Sequence, residues 1–317
     1  VEPPPRDNLK LAVGAILGGC FALSLGDALI KQQSASFVIW QIFLMRSLIV
    51  VPFLIYFVRI RSCETSIMPR LLGWTLLRSL ILIAMWVVYF AALPHIELAI
   101  AAAALYTTPI FITLFAAIFL GETIAARGWF AVLLGFIGTL LILQPQADDF
   151  NAYALLPIIS AVCYACAMIL TRSKCRGERP TVLGLWLNIG FVCVGAFALI
   201  LLYFWSPGDE TINMNPFLLG AWTPMWLDEW RIMAILAVAI LGGSVGAAIA
   251  YQNGPPAIVA TFDFAYVAFA VIWGFLLFGE VPQVSVAIGI TLIVAAGTLA
   301  VRQKPLLRKL KPAAPGS

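Results

Sequence analysis

Two stretches of this chain, Leu98–Glu122 (LAIAAAALYTTPIFITLFAAIFLGE) and Pro256–Glu280 (PAIVATFDFAYVAFAVIWGFLLFGE), follow one pattern. Each opens a small-residue helix with Ala-Ile (Ala99-Ile100, Ala257-Ile258), becomes rich in Leu and Phe, and closes with Gly-Glu. Either is long enough to cross a bilayer, which takes roughly 20 apolar residues per helix. The correspondence extends outward in the same order. Cys20-Phe21-Ala22 answers to Cys163-Tyr164-Ala165, Lys31 to Lys174, and Trp40 to Trp186.

The apolar runs predict spans at Leu9–Ile30, Val38–Val58, Leu71–Leu93, Leu98–Leu120, Trp129–Gln144, Ala152–Thr171, Thr181–Trp205, Arg231–Gln252, Ala257–Phe278 and Val284–Val301. The expected fold is all-α: a polytopic membrane protein with ten transmembrane helices as two five-helix repeats, 1–150 and 151–317. The polar stretch Pro145–Asn151 divides them. An odd number of crossings per copy inverts the second copy in the membrane. Inverted repeats commonly enclose a substrate site in a central cavity near the midplane, so the pattern points to a carrier of small molecules.

Composition agrees. Apolar residues make up 62% of the chain and charged ones 11%, and short connections leave no room for a soluble domain. A cleaved signal peptide is not expected, since no small-residue cleavage site follows Leu9–Ile30. With the N-terminus inside, cytoplasmic segments hold Arg6, Lys10, Arg59, Arg61, Arg70, Arg127, Arg172, Lys174, Arg176 and Arg179, plus the basic tail after Val301. The opposite side holds Lys31 and Arg231. That asymmetry predicts both termini in the cytoplasm. The tail reads as an orientation signal against anionic lipid, with no nucleic-acid partner. A monomer is expected.

Enzyme chemistry finds little footing. His95 is the one histidine, no H-E-x-x-H occurs, and Asp148-Asp149 lacks a partner cluster. Cys163 and Cys166 have C-x-x-C spacing, but inside an apolar helix they read as small packing residues. Neither metal nor cofactor is expected, and no disulfide.

Four ionisable residues, Asp27, Arg46, Arg78 and Asp263, fall within spans. A charge in hydrocarbon costs some 2.5–3.5 kcal/mol even on insertion scales. Depth, at about 1.5 Å per residue, predicts two sets: Arg78 with Asp263 near the cytoplasm, and Asp27 with Arg46 near the outside. Lys31, one turn beyond Asp27, is an alternative partner for it. Such pairs either pin helices together or line a path and gate it. Trp86, Tyr106, Tyr164, Phe264 and Tyr266 sit deeper than the other aromatics. The tyrosine hydroxyls should face inward, because lipid cannot satisfy them. Thr107 and Asn188 join them as candidate substrate-binding residues, with Gln252 and Asn253 as further liners; core packing is the competing role for each. Pro109 should break the fourth span, and Val267 stands at its counterpart. Glu122 and Glu280 read as membrane-edge residues that end helices. The small-residue clusters Gly14/Gly18, Gly135/Gly138, Gly242/Gly246 and Ala295–Gly297 read as helix-packing seams.

The pattern Leu93-Pro94, Ala102, Tyr106-Thr107-Thr108-Pro109, Phe119-Leu120-Gly121-Glu122, Gly135 and Gly138 resembles the EamA-like, ten-helix branch of the drug/metabolite transporters. Lys31 and Arg46 fit the first two helices of that family, and Phe278-Gly279-Glu280 with Gly289 repeats the signature. The resemblance runs from about Leu11 to Val301 and leans toward bacterial exporters of aromatic amino acids. It implies a basket of helices one to four and six to nine, with five and ten peripheral, and export of amino acids by alternating access. Proton-coupled drug export, or carriage of a nucleoside, vitamin or S-adenosyl compound, is the alternative. The second repeat lacks an arginine at Val192, where Arg46 has its counterpart.

Overall fold

The computed structural model describes residues 7–33, 37–61, 67–92, 104–143, 153, 155–205, 208–279 and 284–301. His95, Asp148-Asp149, Glu280, the basic tail and the Lys31 side chain lie outside the described residues. The long helices are α1 (Leu9–Gln33), α2 (Ile39–Arg61), α3 (Leu72–Ala92), α4 (Thr108–Phe119), α5 (Ala126–Leu143), α6 (Leu155–Ser173) and α7 (Pro180–Trp205). Two short helices follow, α8 (Asp209–Met214) and α9 (Pro216–Leu219). Then come α10 (Leu227–Asn253), α11 (Pro256–Asp263), α12 (Ala265–Phe278) and α13 (Val284–Val301). No strand is present among the described residues.

Seven stretches are long and apolar enough to cross a membrane, counting Pro256–Leu277 as one, and α4, α5 and α13 are shorter apolar helices. The chain is an all-α, multi-pass membrane protein, and its helices fall on the expected spans. Large apolar side chains such as Phe53, Tyr56, Phe119, Phe197, Tyr203 and Val238 point outward. In water so wide an apolar surface would aggregate; in a bilayer it is the solvated face. Polar groups are turned inward instead: Gln41, Arg46, Ser47, Arg78, Ser160 and Asn188 are buried.

Helix pairing is regular. The most extensive contacts are α1 with α10, α5 with α13, α2 with α7 and α3 with α6. Next come α1 with α12, and α4 with α6. The largest apolar cluster draws on α1, α2, α3, α4, α6, α7, α10 and α11, while α5 and α13 pack chiefly on each other. Gly121 and Gly279 each take a left-handed backbone (φ 65° and 68°) just past α4 and α12. Each of these glycines therefore marks a helix stop, since glycine enters that region without a side-chain clash.

Apolar helices gain nothing from hiding from lipid, so pairing depends on close backbone approach. The α1–α10 seam is built by Gly19, whose added Cβ would lie 3.5 Å from Gly243 O, and by Gly246, whose Cβ would lie 2.7 Å from Ala15 O. Gly14 and Gly18, expected at a seam, have open space around them. They share a helix with Gly19 but face another direction. Gly138 abuts the Gly289 carbonyl across α5 and α13, and Gly135 makes room for the Phe264 ring. Gly246→Val should force α1 and α10 apart and cost about 1–3 kcal/mol, the usual penalty for overpacking. Thermal unfolding in detergent should show a midpoint several degrees lower, whereas Gly14→Ala should leave it unchanged.

Candidate functional site

Two apolar stretches carry an interruption in their helical backbone. Ala104 and Leu105 are helical, Tyr106-Thr107 turn, and α4 restarts at Thr108 with Pro109 in its first turn. Proline lacks the N–H that would continue the ladder. The Thr107 and Thr108 hydroxyls donate to the Ala104 and Leu105 carbonyls (2.6 Å each) and satisfy the gap. The counterpart is interrupted too, between α11 and α12 at Phe264, although no proline stands there. On α1, the Cys20 thiol reaches the Asp263 carbonyl (3.9 Å) and carboxylate (3.8 Å) at that break. Reading the sequence for proline alone missed this second break.

Between α1, α2, α3 and α10 lies a narrow crevice lined by Asp27, Phe43, Arg46, Trp86, Phe90 and Ile240, among others. Arg46 is 5% exposed. Its guanidinium lies over the Phe43 and Phe191 rings, 4.9 Å from each centroid, a favourable cation–π arrangement. Its Nε and Nη2 have no hydrogen-bond partner in the protein. Asp27 is within electrostatic reach of Arg46, but no ion pair joins them. The Tyr266 hydroxyl donates to the Asp27 carboxylate instead. Tyr106 stacks obliquely on Tyr266 at 5.5 Å. Trp86 and Phe90 present near-parallel rings 5.4 Å apart. A carboxylate, a guanidinium with free donors and aromatic walls can together receive an ammonium, a carboxylate and a flat apolar body.

A second buried polar group lies nearer the Asp7 end of the bundle. Asp263 accepts from the Tyr251 hydroxyl as well as from Cys20. Arg78, 1% exposed, donates from Nε to Thr171 Oγ1 at 2.6 Å, and its Nη1 has no partner. The expected Arg78–Asp263 pair is not formed. Tyr164 is within electrostatic reach of both, but the two charges take different partners. Rise per residue gives depth alone, and a pair also needs the two side chains to point at each other around their helix axes.

The remaining candidates divide. Trp86, Tyr106, Tyr164 and Tyr266 are half-buried and adjoin the central cluster or its polar groups. Phe264 is fully buried and packs with Val267 and Ile293 against the α5–α13 pair. Asn188 is consumed between α2 and α7, accepting from Ser47 (3.2 Å) and donating to the Gly184 carbonyl (2.8 Å). Thr107 is occupied by its own turn. Gln252 is no liner. Its amide donates to the Cys175 and Glu178 carbonyls (2.7 and 2.8 Å) and ties the α6–α7 turn to the end of α10.

Each end of the bundle carries its own set of contacts between distant segments among the described residues. At one, the Asp7 carboxylate holds Arg172 through two bonds of 3.0 Å and also pairs with Arg176. A planar guanidinium gripped by both carboxylate oxygens is among the stronger surface ion pairs. Both arginines also donate to the Gln252 carbonyl (3.0 Å), and Asn8 N–H donates to the Asn253 carbonyl. Glu178 caps α3 at Leu71 N (2.8 Å). Glu122 faces this cluster, and burial pushes its carboxyl up to about 7 despite Arg172 and Arg176 nearby. At the other end, the α8–α9 segment folds over the crevice. Trp40 Nε1 donates to Leu218 O (2.8 Å), Gln41 exchanges two bonds with Thr223, and Phe217 packs edge-on against Phe90. Neither closure was visible in the sequence, because each joins residues far apart along it.

Comparison with known proteins supplies the context. Residues 10–144 match the EamA-like transporter family. The chain is 28% identical over 300 residues to the pseudopaline exporter CntI of Pseudomonas aeruginosa, covering 94% of this chain and 99% of that protein. It is 30% identical over 228 residues to a riboflavin transporter of Rhizobium johnstonii, covering 72% and 68%. A solved protein crystal structure superposes with a TM-score of 0.73 at 19% identity, over 91% of this chain and 98% of the other, which shows the fold alone.

The closed Asp7 end has a pH signature. Glu122 buried here binds its proton better than a hydrated carboxyl, so this arrangement is favoured in acid. The contribution fades as pH rises from the ordinary carboxylate range through about 7. Glu122→Gln should flatten the decline in unfolding midpoint between about pH 5 and about pH 8, with its largest gain at the alkaline end. An unchanged slope would place the titration elsewhere.

Proposed function

The chain belongs to the EamA-like transporter family, and on that premise we propose that it carries zwitterionic, amphipathic metabolites. Amino acids are the favoured cargo, aromatic ones first, moved outward across a bacterial inner membrane with both termini in the cytoplasm. The observation that carries this reading is the pairing of Asp27 and Arg46 in one aromatic crevice without an ion pair between them. Opposite charges held apart can each take the complementary group of a zwitterion, and the aromatic walls suit a ring. A closed salt bridge would have left nothing to offer.

Transport proceeds by alternating access between two inverted halves, 1–150 and 151–317, acting as one monomer. Three features support that reading. Contacts come in matched sets, α1 with α10 and α3 with α6, then α1 with α12 and α4 with α6. Two helices break at corresponding places. Each end of the bundle has its own closure.

A second reading has an observation of its own. The near-parallel Trp86 and Phe90 rings offer a flat surface, and one relative is named a riboflavin transporter. A larger planar metabolite is therefore the rival cargo. A nucleoside, an S-adenosyl compound or a drug exchanged for protons at Asp27 or Asp263 completes the alternatives.

Uptake into liposomes containing the purified protein, against labelled amino acids, riboflavin and nucleosides with and without a pH gradient, decides among them. Flux of aromatic amino acids is expected. Arg46→Lys should lower it about tenfold, since an ammonium cannot reproduce the planar fork, and tenfold corresponds to about 1.4 kcal/mol. Trp86→Ala should reduce tryptophan flux more than alanine flux. Movement of riboflavin or nucleosides with no amino-acid flux would overturn the reading.

A further inference from the structure

Among the described residues, Arg78 is the one arginine or lysine that is fully buried, and no described carboxylate pairs with it. Its Nε bond goes to a neutral hydroxyl, Thr171, and its Nη1 meets no acceptor in the protein. The ionisable groups in reach are Tyr164 on α6 and Cys175 on the α6–α7 turn, neither an anion at neutral pH in the ordinary range of phenols and thiols. Leaving a guanidinium buried without a counter-charge is expensive, and Asp263, which could have supplied one, is committed to Tyr251 and Cys20.

The position of Arg78 adds a second, independent observation. Thr171, its partner, is followed directly by Arg172 of the Asp7 closure, and Cys175 lies in the turn that Gln252 fastens. The guanidinium therefore lies beside the contacts that tie that end of the bundle together. Arg46 lies toward the other mouth, under the α8–α9 segment, on the same crevice as Phe90. The described core thus holds two arginines with unpartnered donors, each behind a different closure.

We propose that Arg78 is a second oxyanion-accepting position on the transport path, meeting a carboxylate or phosphate group of the cargo when the Asp7 closure opens. It takes the anionic group from one side of the membrane, and Arg46 receives it toward the other. The cargo class is thereby narrowed to molecules bearing an oxyanion, whether or not they are also cationic. This rests on the carrier reading but not on amino acids being the cargo.

The test uses the full chain purified in detergent and needs no transport. Benzoate and phenyl phosphate serve as probes, with unfolding midpoint as the readout. In an Arg46→Gln background, one or both probes should still raise the midpoint by a few degrees; benzoate alone assigns a carboxylate, phenyl phosphate alone a phosphate. Adding Arg78→Gln should abolish the response, and Arg78→Lys should weaken apparent binding at least fivefold, which covers the case where the glutamine variant fails to fold. Without probe, Arg78→Met should raise the midpoint, because it removes an uncompensated charge, whereas a helix-pinning role would lower it. No response in the Arg46→Gln protein, a response that survives loss of Arg78, or a lower midpoint for a folded Arg78→Met overturns the proposal. Failure of the amino-acid panel would leave these results standing.

Discussion

Hydrocarbon solvates apolar side chains and rejects polar ones, and nearly every feature of this protein follows from that reversal. Phenylalanines and leucines that would form a core in water line the outside. Arginines, aspartates and tyrosine hydroxyls are driven between helices, where each must find a partner or an aqueous path. Because apolar burial no longer holds helices together, contact has to come from backbones meeting at small residues. Gly19, Gly243 and Gly246 do this between α1 and α10, and Gly138 with Gly289 between α5 and α13.

The interior is arranged as two polar layers joined through α1. Asp27 and Cys20, two turns apart on that helix, contact Tyr266 and Asp263 on either side of the α11–α12 break. A shift of α1 against the broken helix would disturb both layers together. That is the kind of mechanical link an alternating carrier uses to keep one mouth shut while the other opens.

Much of this was legible in the sequence, and the limits are physical. Apolar run length gives the helices to within a few residues, because bilayer thickness sets it. Gly121 and Gly279 were readable as helix stops, because a left-handed turn selects glycine. Pro109 announced its break by chemistry; Phe264 did not, since a kink can arise from packing without any residue that forces it. Arg46 and Asp27 were matched by depth and do share a crevice. Arg78 and Asp263 were matched by the same rule and do not pair, since rise per residue fixes height but not azimuth. Gln252 looked like a cavity liner because it is a polar residue at the end of an apolar run, yet its amide fastens a turn. Gly14 and Gly18 mislead for a related reason: a small residue permits close approach without requiring it.

Gln252 has one more consequence. By holding the Cys175 and Glu178 carbonyls, it ties the α6–α7 turn to the foot of α10, where Arg172 and Arg176 also donate to its own carbonyl. Asp7, just ahead of α1, joins both arginines at that same end. Losing the Asp7 carboxylate would remove the ion pairs to Arg172 and Arg176 while leaving the Gln252 bonds in place.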